Sequence, residues 1–143
     1  MPENFDLERF RDMQRRHYPR ALSEIRNGRK ESHWIWYIFP QLRALGMSSN
    51  AVYYGIEGLE EARAYMADPY LSGNLLEITG ALLVHRDERL EDLMGSRIDA
   101  VKLRSCMTLF EQASDDELFP QVLDAFFRGE RDPETLRILG IGS

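Results

Sequence analysis

The chain has 143 residues, of which 43% are hydrophobic and 29% charged, and its net charge is −6. This balance excludes a disordered chain, and the lack of an apolar run of roughly 20 residues excludes a membrane-spanning helix. The acidic charge disfavours nucleic-acid binding because it repels phosphate backbones. We therefore expect one soluble domain over residues 1–143, with no nucleic-acid or membrane partner.

Cysteine content and the N-terminus bear on where the protein is located. The single cysteine, Cys106, rules out an internal disulfide and fits a reducing compartment. The first residues, Met1 to Asn4, are polar and acidic, unlike a signal peptide. These features predict a cytoplasmic protein.

The first element has helical periodicity. Apolar residues between Phe5 and Met13 predict a helix that Asp6 caps. We expect Pro19 to break or kink this helix, because proline removes a donor and crowds the preceding turn. The continuation ends at Asn27-Gly28, a pair typical of a helix C-terminus.

The next element is the aromatic segment, SHWIWYIFPQ at residues 32–41. Ser32 is predicted to cap a short apolar helix over residues 33–39, which Pro40 ends because proline pushes the preceding residue out of the α region. On such a helix, His33, Trp36 and Tyr37 share one face. A helix that is apolar all round is expected to be buried.

Cap signals divide the middle of the chain into further helices. Ser48 or Ser49 is predicted to cap a short helix that runs through Tyr54, and two glycines then precede a helix over residues 59–66. Asp68-Pro69 predicts another helix start, since a capping side chain is followed by a proline at the first helical position.

Two more start signals come late in the chain. Ser114 to Glu117 matches a capping box, and Asp132-Pro133 repeats the earlier start, with Gly140 ending that last helix. A hairpin signal is absent. The sequence therefore predicts an all-α single domain, an irregular array of roughly seven to nine short helices.

Three stretches carry a family resemblance. They are GRKESHWIWYIFPQ at 28–41, DAVKLRSCMTLF at 99–110 and VLDAFFRG at 122–129. Together they resemble the DUF1810 family of uncharacterised bacterial and eukaryotic proteins, over residues 10–139. The resemblance implies an all-helical, irregular fold and implies no activity.

Two details of this resemblance matter for function. Some family members are labelled calpastatin, but calpain inhibitors are extended and disordered, whereas this chain has a clear core. At Cys106 the family pattern leads us to expect a serine, so a role that needs a hydroxyl at that position is not expected here.

The aromatic segment is open to two interpretations. Its aromatic rings pack the core, or Trp36 or Tyr37 forms the wall of a pocket in which His33 or Gln41 makes polar contacts. His33 is also the candidate general acid or base, because histidine titrates near neutral pH.

The second motif carries polar residues at spacings of three: Lys102, Ser105 and Thr108. They form either a solvated helix face or one wall of an anion site, in which lysine supplies the charge and the hydroxyls add donors. Cys106 is interpreted as a small buried hydrophobe. No metal-ligand spacing and no cofactor motif is present.

Two hypotheses for function follow. In the first, the chain binds or processes a small phosphorylated or nucleotide-like ligand, and a closed polar cavity lined by both motifs would favour it. In the second, the chain is a non-catalytic interaction module, and an exposed apolar patch without an enclosed pocket would favour that. Whether catalysis occurs is left open.

Overall fold

The structure, a computed structural model, describes residues 5–141 and folds them into nine α-helices. Apart from a 3₁₀ turn at Arg43–Leu45 and one parallel bridge between Leu42 and Ile56, regular structure in the described residues is entirely α-helical. The all-α prediction is confirmed. The helices are α1 (Glu8–Arg26), α2 (Ile35–Ile38), α3 (Ser49–Tyr53), α4 (Leu59–Ala67), α5 (Pro69–Leu83), α6 (Leu90–Met94), α7 (Arg97–Ala113), α8 (Leu118–Phe127) and α9 (Pro133–Leu139).

Helix α7 forms the centre of the array. It packs against α4, α6, α8 and α9, while α5 packs against α1 and α8. The core is rich in aromatic rings, which bury large apolar areas. The largest fully buried side chains include Phe10, Trp34, Phe39, Tyr65, Phe110 and Phe119.

None of the helices in the described residues combines the length and apolar character that crossing a membrane requires.

Helix α1 corrects two expectations. It continues from Glu8 to Arg26 through Pro19, so the predicted break is wrong. Proline deletes one backbone hydrogen bond, but Pro19 is exposed and the buried face of the helix continues past it, so packing keeps the helix intact. Asp6 does not cap α1, whose first turn follows Leu7 without a side-chain cap. Asn27 ends the helix as predicted.

The helix predicted over residues 33–39 is shorter in the structure, because Ser32 has a different partner. Its hydroxyl donates to Glu24 Oε2 at 2.5 Å, and α2 begins only at Ile35. His33 therefore lies before the helix, and its predicted common helix face with Trp36 and Tyr37 does not form. The C-terminal limit before Pro40 is confirmed.

The remaining start signals differ in outcome. Ser48, Asp68 and Asp132 each accept a hydrogen bond from a backbone N–H of the helix that follows, so these three caps are confirmed. The capping box at Ser114–Glu117 is wrong, because Ser114 accepts from the amide of Asp116 and α8 begins later. Gly140 ends α9 with a φ of 71°, a conformation that favours glycine.

Candidate functional site

The first and second motifs meet at Lys30. The Lys30 ammonium lies 2.8 Å from Asp99 Oδ2 in the first turn of α7, and it donates to the carbonyl of Ser32 at 2.6 Å. It also lies 4.9 Å from the centre of the Trp34 ring. Lys30 is buried, so this ion pair anchors the aromatic segment against α7 and is not available to a ligand.

Glu24 of α1 holds the same segment from the other side. Its carboxylate accepts hydrogen bonds from the amides of Glu31 and Ser32, from the Ser32 hydroxyl and from Trp34 Nε1. Although partial burial opposes ionisation, these donors lower the pKa of Glu24 to about 2. A stable carboxylate therefore fixes the loop that leads into α2.

Gln41 is placed by a pairing between two loops. Its carbonyl accepts from the amide of Ile56 at 2.9 Å, and the amide of Arg43 donates to the carbonyl of Ile56 at 2.8 Å. Gly55 permits this approach, because a Cβ there would lie 2.4 Å from the Cα of Arg43. The 3₁₀ turn packs against α3 and α9, and Gln41 lines the same groove as Lys102.

An open groove of about 440 Å³ lies between α7, the 3₁₀ turn and the start of α9. We call it the α7–α9 groove. Helix α7 contributes Ile98, Val101, Lys102 and Ser105, whose spacing places them on one helix face. Ile98 is 68% exposed and Val101 is 50% exposed, so the floor is apolar and accessible. The remaining lining residues are Gln41, Leu45, Arg97, Asp132 and Glu134.

Lys102 connects this groove to a small inner recess. The recess holds about 10 Å³ and is lined by Trp36, Gln41, Tyr54 and Lys102, among others. The Lys102 ammonium lies 5.6 Å from the centre of the Trp36 ring. The Trp36 Nε1 is buried and has no hydrogen-bond partner among the described residues. The recess has room for about one water-sized polar group beside the Lys102 side chain.

Charges in the groove differ in how they are engaged. The Asp132 carboxylate accepts from Ser105 and from Thr135, and Glu134 pairs with Arg137 at 2.7 Å. Within residues 5–141, no carboxylate lies within 4.0 Å of the charged nitrogens of Arg97 or Lys102. The two cations are therefore the groups that remain for an anionic ligand.

The three polar residues of the second motif, Lys102, Ser105 and Thr108 on α7, do not all face solvent. Ser105 is 4% exposed and Thr108 is fully buried. Ser105 donates to Asp132 at 2.9 Å, and Thr108 accepts from the amide of Asp132 at 2.9 Å. These two hydroxyls therefore fasten the start of α9 to α7, and of the three residues Lys102 and Ser105 line the groove.

Besides the buried Thr108, two predicted site residues, His33 and Tyr37, lie outside the groove and its recess. His33 is exposed, and its carbonyl accepts a long 3.5 Å hydrogen bond from the Tyr37 hydroxyl. Tyr37 is buried, with its ring 5.3 Å from that of Tyr54, and burial raises the pKa of its phenol. Neither side chain lines the groove or the recess. Roles for them in binding or catalysis remain predictions.

Cys106 lies in the core. Cys106 is fully buried, and burial raises the pKa of its thiol well above the usual value, as expected for a core residue. Between Phe5 and Ile141, no three histidine, cysteine or acidic side chains are arranged to hold a metal ion.

Sequence reasoning missed the apolar half of the groove. Val101 does not belong to the buried stripe of α7, which is formed by Leu103, Cys106 and Phe110 on another side of the helix. The available signal was that Ile98 and Val101 precede Lys102 and Ser105 at helical spacing, which placed apolar residues on the polar face.

Comparisons with known proteins identify relatives of the chain. The family model described as "Protein of unknown function (DUF1810)" matches residues 4–139. Among solved structures, the chain is similar to the conserved hypothetical protein Rv1873 from Mycobacterium tuberculosis, with 40% sequence identity and a TM-score of 0.92. The similarity covers 98% of this chain and 100% of that chain. Among curated proteins, none matches this sequence.

Proposed function

We propose a function from the geometry of the groove, because the chain belongs to the DUF1810 family, whose function is unknown. The protein is a binding domain that holds a small anionic ligand in the α7–α9 groove. The ligand combines a phosphate or similar anion with a planar or apolar body, as nucleotide-like molecules do. The groove is open and its floor is apolar, so it is not the closed polar cavity that would favour this function most strongly. The proposal rests on one observation: Trp36, Gln41 and Lys102, from two distant motifs, border the groove and its recess.

The chemistry of the lining supports this class of ligand. Lys102 and Arg97 supply positive charge that the described carboxylates do not neutralise. Ile98 and Val101 offer an exposed apolar floor on which the body of a ligand can lie. The ammonium of Lys102 can meet one small acceptor at the recess. A purely polar ion would leave the floor unused.

The polar groups near the groove support binding rather than catalysis. The Ser105 hydroxyl donates to Asp132 and is not poised as a nucleophile. The Cys106 thiol is enclosed in the core, and the exposed His33 lies away from the groove lining. We therefore assign the groove to recognition of a ligand, with Lys102 as its main anion contact.

Thermal unfolding with a panel of nucleotides, sugar phosphates and inorganic phosphate tests this proposal. At a ligand concentration of about 100 times Kd, the folded state gains about 2.7 kcal/mol, which raises the Tm by several degrees. We expect a nucleotide-like compound to do so and inorganic phosphate to have a smaller effect.

The variant Lys102→Met removes the charge and keeps the apolar stem. We expect it to weaken binding of the responding ligand by about tenfold or more, because a charge-assisted contact is lost. Arg63→Met is the matched control, since Arg63 is exposed on α4 and does not line the groove. A panel without any Tm shift, or equal affinity of Lys102→Met and wild type, would overturn the proposal.

A further inference from the structure

A second concave surface lies beside the α7–α9 groove and is rich in arginine. It has a volume of about 710 Å³ and includes Arg89, Arg97, Arg104 and Arg128. We call it the arginine hollow. Arg97 and Val101 line both the hollow and the groove, so the two are continuous across the first turns of α7.

The hollow is positively charged on a chain whose net charge is −6. Among the residues that line it, Glu91 is the single carboxylate, 3.4 Å from Arg89. Arg104 makes only loose contacts, at 4.0 Å to Glu130 and 3.6 Å to Asp132. Within the described part of the chain, Arg97 and Arg128 form no ion pair. Positive charge is thus concentrated here.

The floor of the hollow is apolar. Phe126 and Phe127 at the end of α8 are half-buried, as is Leu90, and Val101 is half exposed between them and the groove. Arg128 follows the two rings with a φ of 55°, the left-handed conformation that favours glycine. An arginine occupies this position although glycine would adopt its backbone more easily.

We propose that the arginine hollow docks an acidic amphipathic helix of a partner protein. Aspartate and glutamate side chains of that helix pair with Arg89, Arg97 and Arg128, and its large apolar side chains pack on Phe126 and Phe127. Charge complementarity identifies the partner as acidic, and the apolar floor identifies it as amphipathic. The continuity of the hollow with the groove favours an elongated partner over a small ion. Nucleic acid is disfavoured because the chain as a whole is acidic.

Fluorescence anisotropy on the full chain tests this inference. The probe is a labelled peptide of about four helical turns, with leucine at helical spacing and glutamate on the flanking positions. The comparison peptides are a scrambled version and one with lysine in place of glutamate. We expect the acidic amphipathic peptide to bind more tightly than either, with an affinity that falls as salt rises.

The double variant Arg89→Gln with Arg128→Gly removes two of the cations. We expect roughly tenfold weaker binding of the acidic peptide, as the loss of two exposed ion pairs implies. Arg128→Gly suits the local backbone, so the variant keeps its fold, which its thermal unfolding verifies. Arg63→Gln is the control and leaves binding unchanged. The double variant leaves the affinity for the nucleotide-like ligand unchanged, because neither Arg89 nor Arg128 lines the α7–α9 groove, which separates this inference from the ligand-binding proposal.

Three results would overturn the inference. The first is no binding of the acidic peptide, or equal binding of the scrambled or basic peptide. The second is an unaltered affinity in the Arg89→Gln, Arg128→Gly double variant. The third is an oligothymidylate of equal charge that displaces the acidic peptide at lower concentration, which would indicate a nucleic-acid surface instead.

Discussion

The only two lysines of the chain, Lys30 and Lys102, occupy related settings with different consequences. Each ammonium lies over a tryptophan ring of the same aromatic segment, at 4.9 Å for Lys30 on Trp34 and 5.6 Å for Lys102 on Trp36. Lys30 is buried and paired with Asp99, whereas Lys102 is half-buried and has no carboxylate partner among the described residues. The same type of contact with a tryptophan ring therefore accompanies a structural ion pair at Lys30, whereas the Lys102 ammonium has no carboxylate partner among the described residues.

The physical reason for this difference is desolvation. A buried ammonium is strongly destabilising unless it is paired and hydrogen-bonded, so Lys30 depends on Asp99 and on the Ser32 carbonyl. Lys102 keeps access to solvent through the groove, so it does not require a protein partner. Among the motif residues, we therefore place in the candidate site those whose charged or polar side chains have no ion-pair or hydrogen-bond partner within the described fold.

The largest expected effect separates the two lysines directly. Lys30→Met leaves the Asp99 carboxylate without its partner, so we expect the free energy of unfolding to fall by about 3 kcal/mol. The same substitution at Lys102 is the control, with a change within about 0.5 kcal/mol. Urea unfolding of both variants measures the difference. Equal losses of unfolding free energy in the two variants would mean that Lys102 is also structural and would contradict the proposed difference between the two lysines.

A second prediction concerns Glu24, which secures the Lys30 side of the segment. Its pKa is about 2 in the folded protein against the usual 4.5, so the unfolded chain takes up a proton first as the pH falls. The resulting stabilisation is present above about pH 4.5 and is lost towards about pH 2, with a size of about 2 kcal/mol for a partly exposed carboxylate.

Urea unfolding between about pH 6 and about pH 3 checks this effect. We expect Glu24→Gln to be less stable than wild type near neutral pH and to lose less stability on acidification. Glu31→Gln, an exposed carboxyl on the same loop, is the control and keeps the wild-type slope. An unchanged slope in Glu24→Gln would show that this carboxylate does not hold the segment.

The smallest expected effect lies at the hydrogen bond that fastens the start of α9 to α7. Thr108→Val removes the acceptor of the Asp132 amide, so we expect a loss of about 1 kcal/mol and faster hydrogen exchange at that amide. Thr79 is the matched control, because its hydroxyl is buried without a partner among the described residues. Thr79→Val should be neutral or slightly stabilising. Equal losses in both variants would indicate a packing effect rather than the hydrogen bond.

The family resemblance is confirmed by the match over residues 4–139, and so is the all-α fold. Starts at Ser48, Asp68 and Asp132 were predictable because each cap bonds to backbone only two or three residues away. The predicted caps at Ser32 and Ser114 failed for a related reason. Each side chain has another acceptor or donor nearby, and the sequence does not rank such alternatives.

The candidate site shows the same distinction between local properties and contacts with distant segments. Local sequence was enough to select Trp36, Gln41 and Lys102 as members of two motifs, since residue type and helical spacing are local properties. Only the tertiary structure separated Lys102 from Ser105 and Thr108, because the partner that consumes both hydroxyls is Asp132, on the far end of the chain. The free or engaged state of a polar group depends on which distant segment packs against it, and that contact is decided by the folded core.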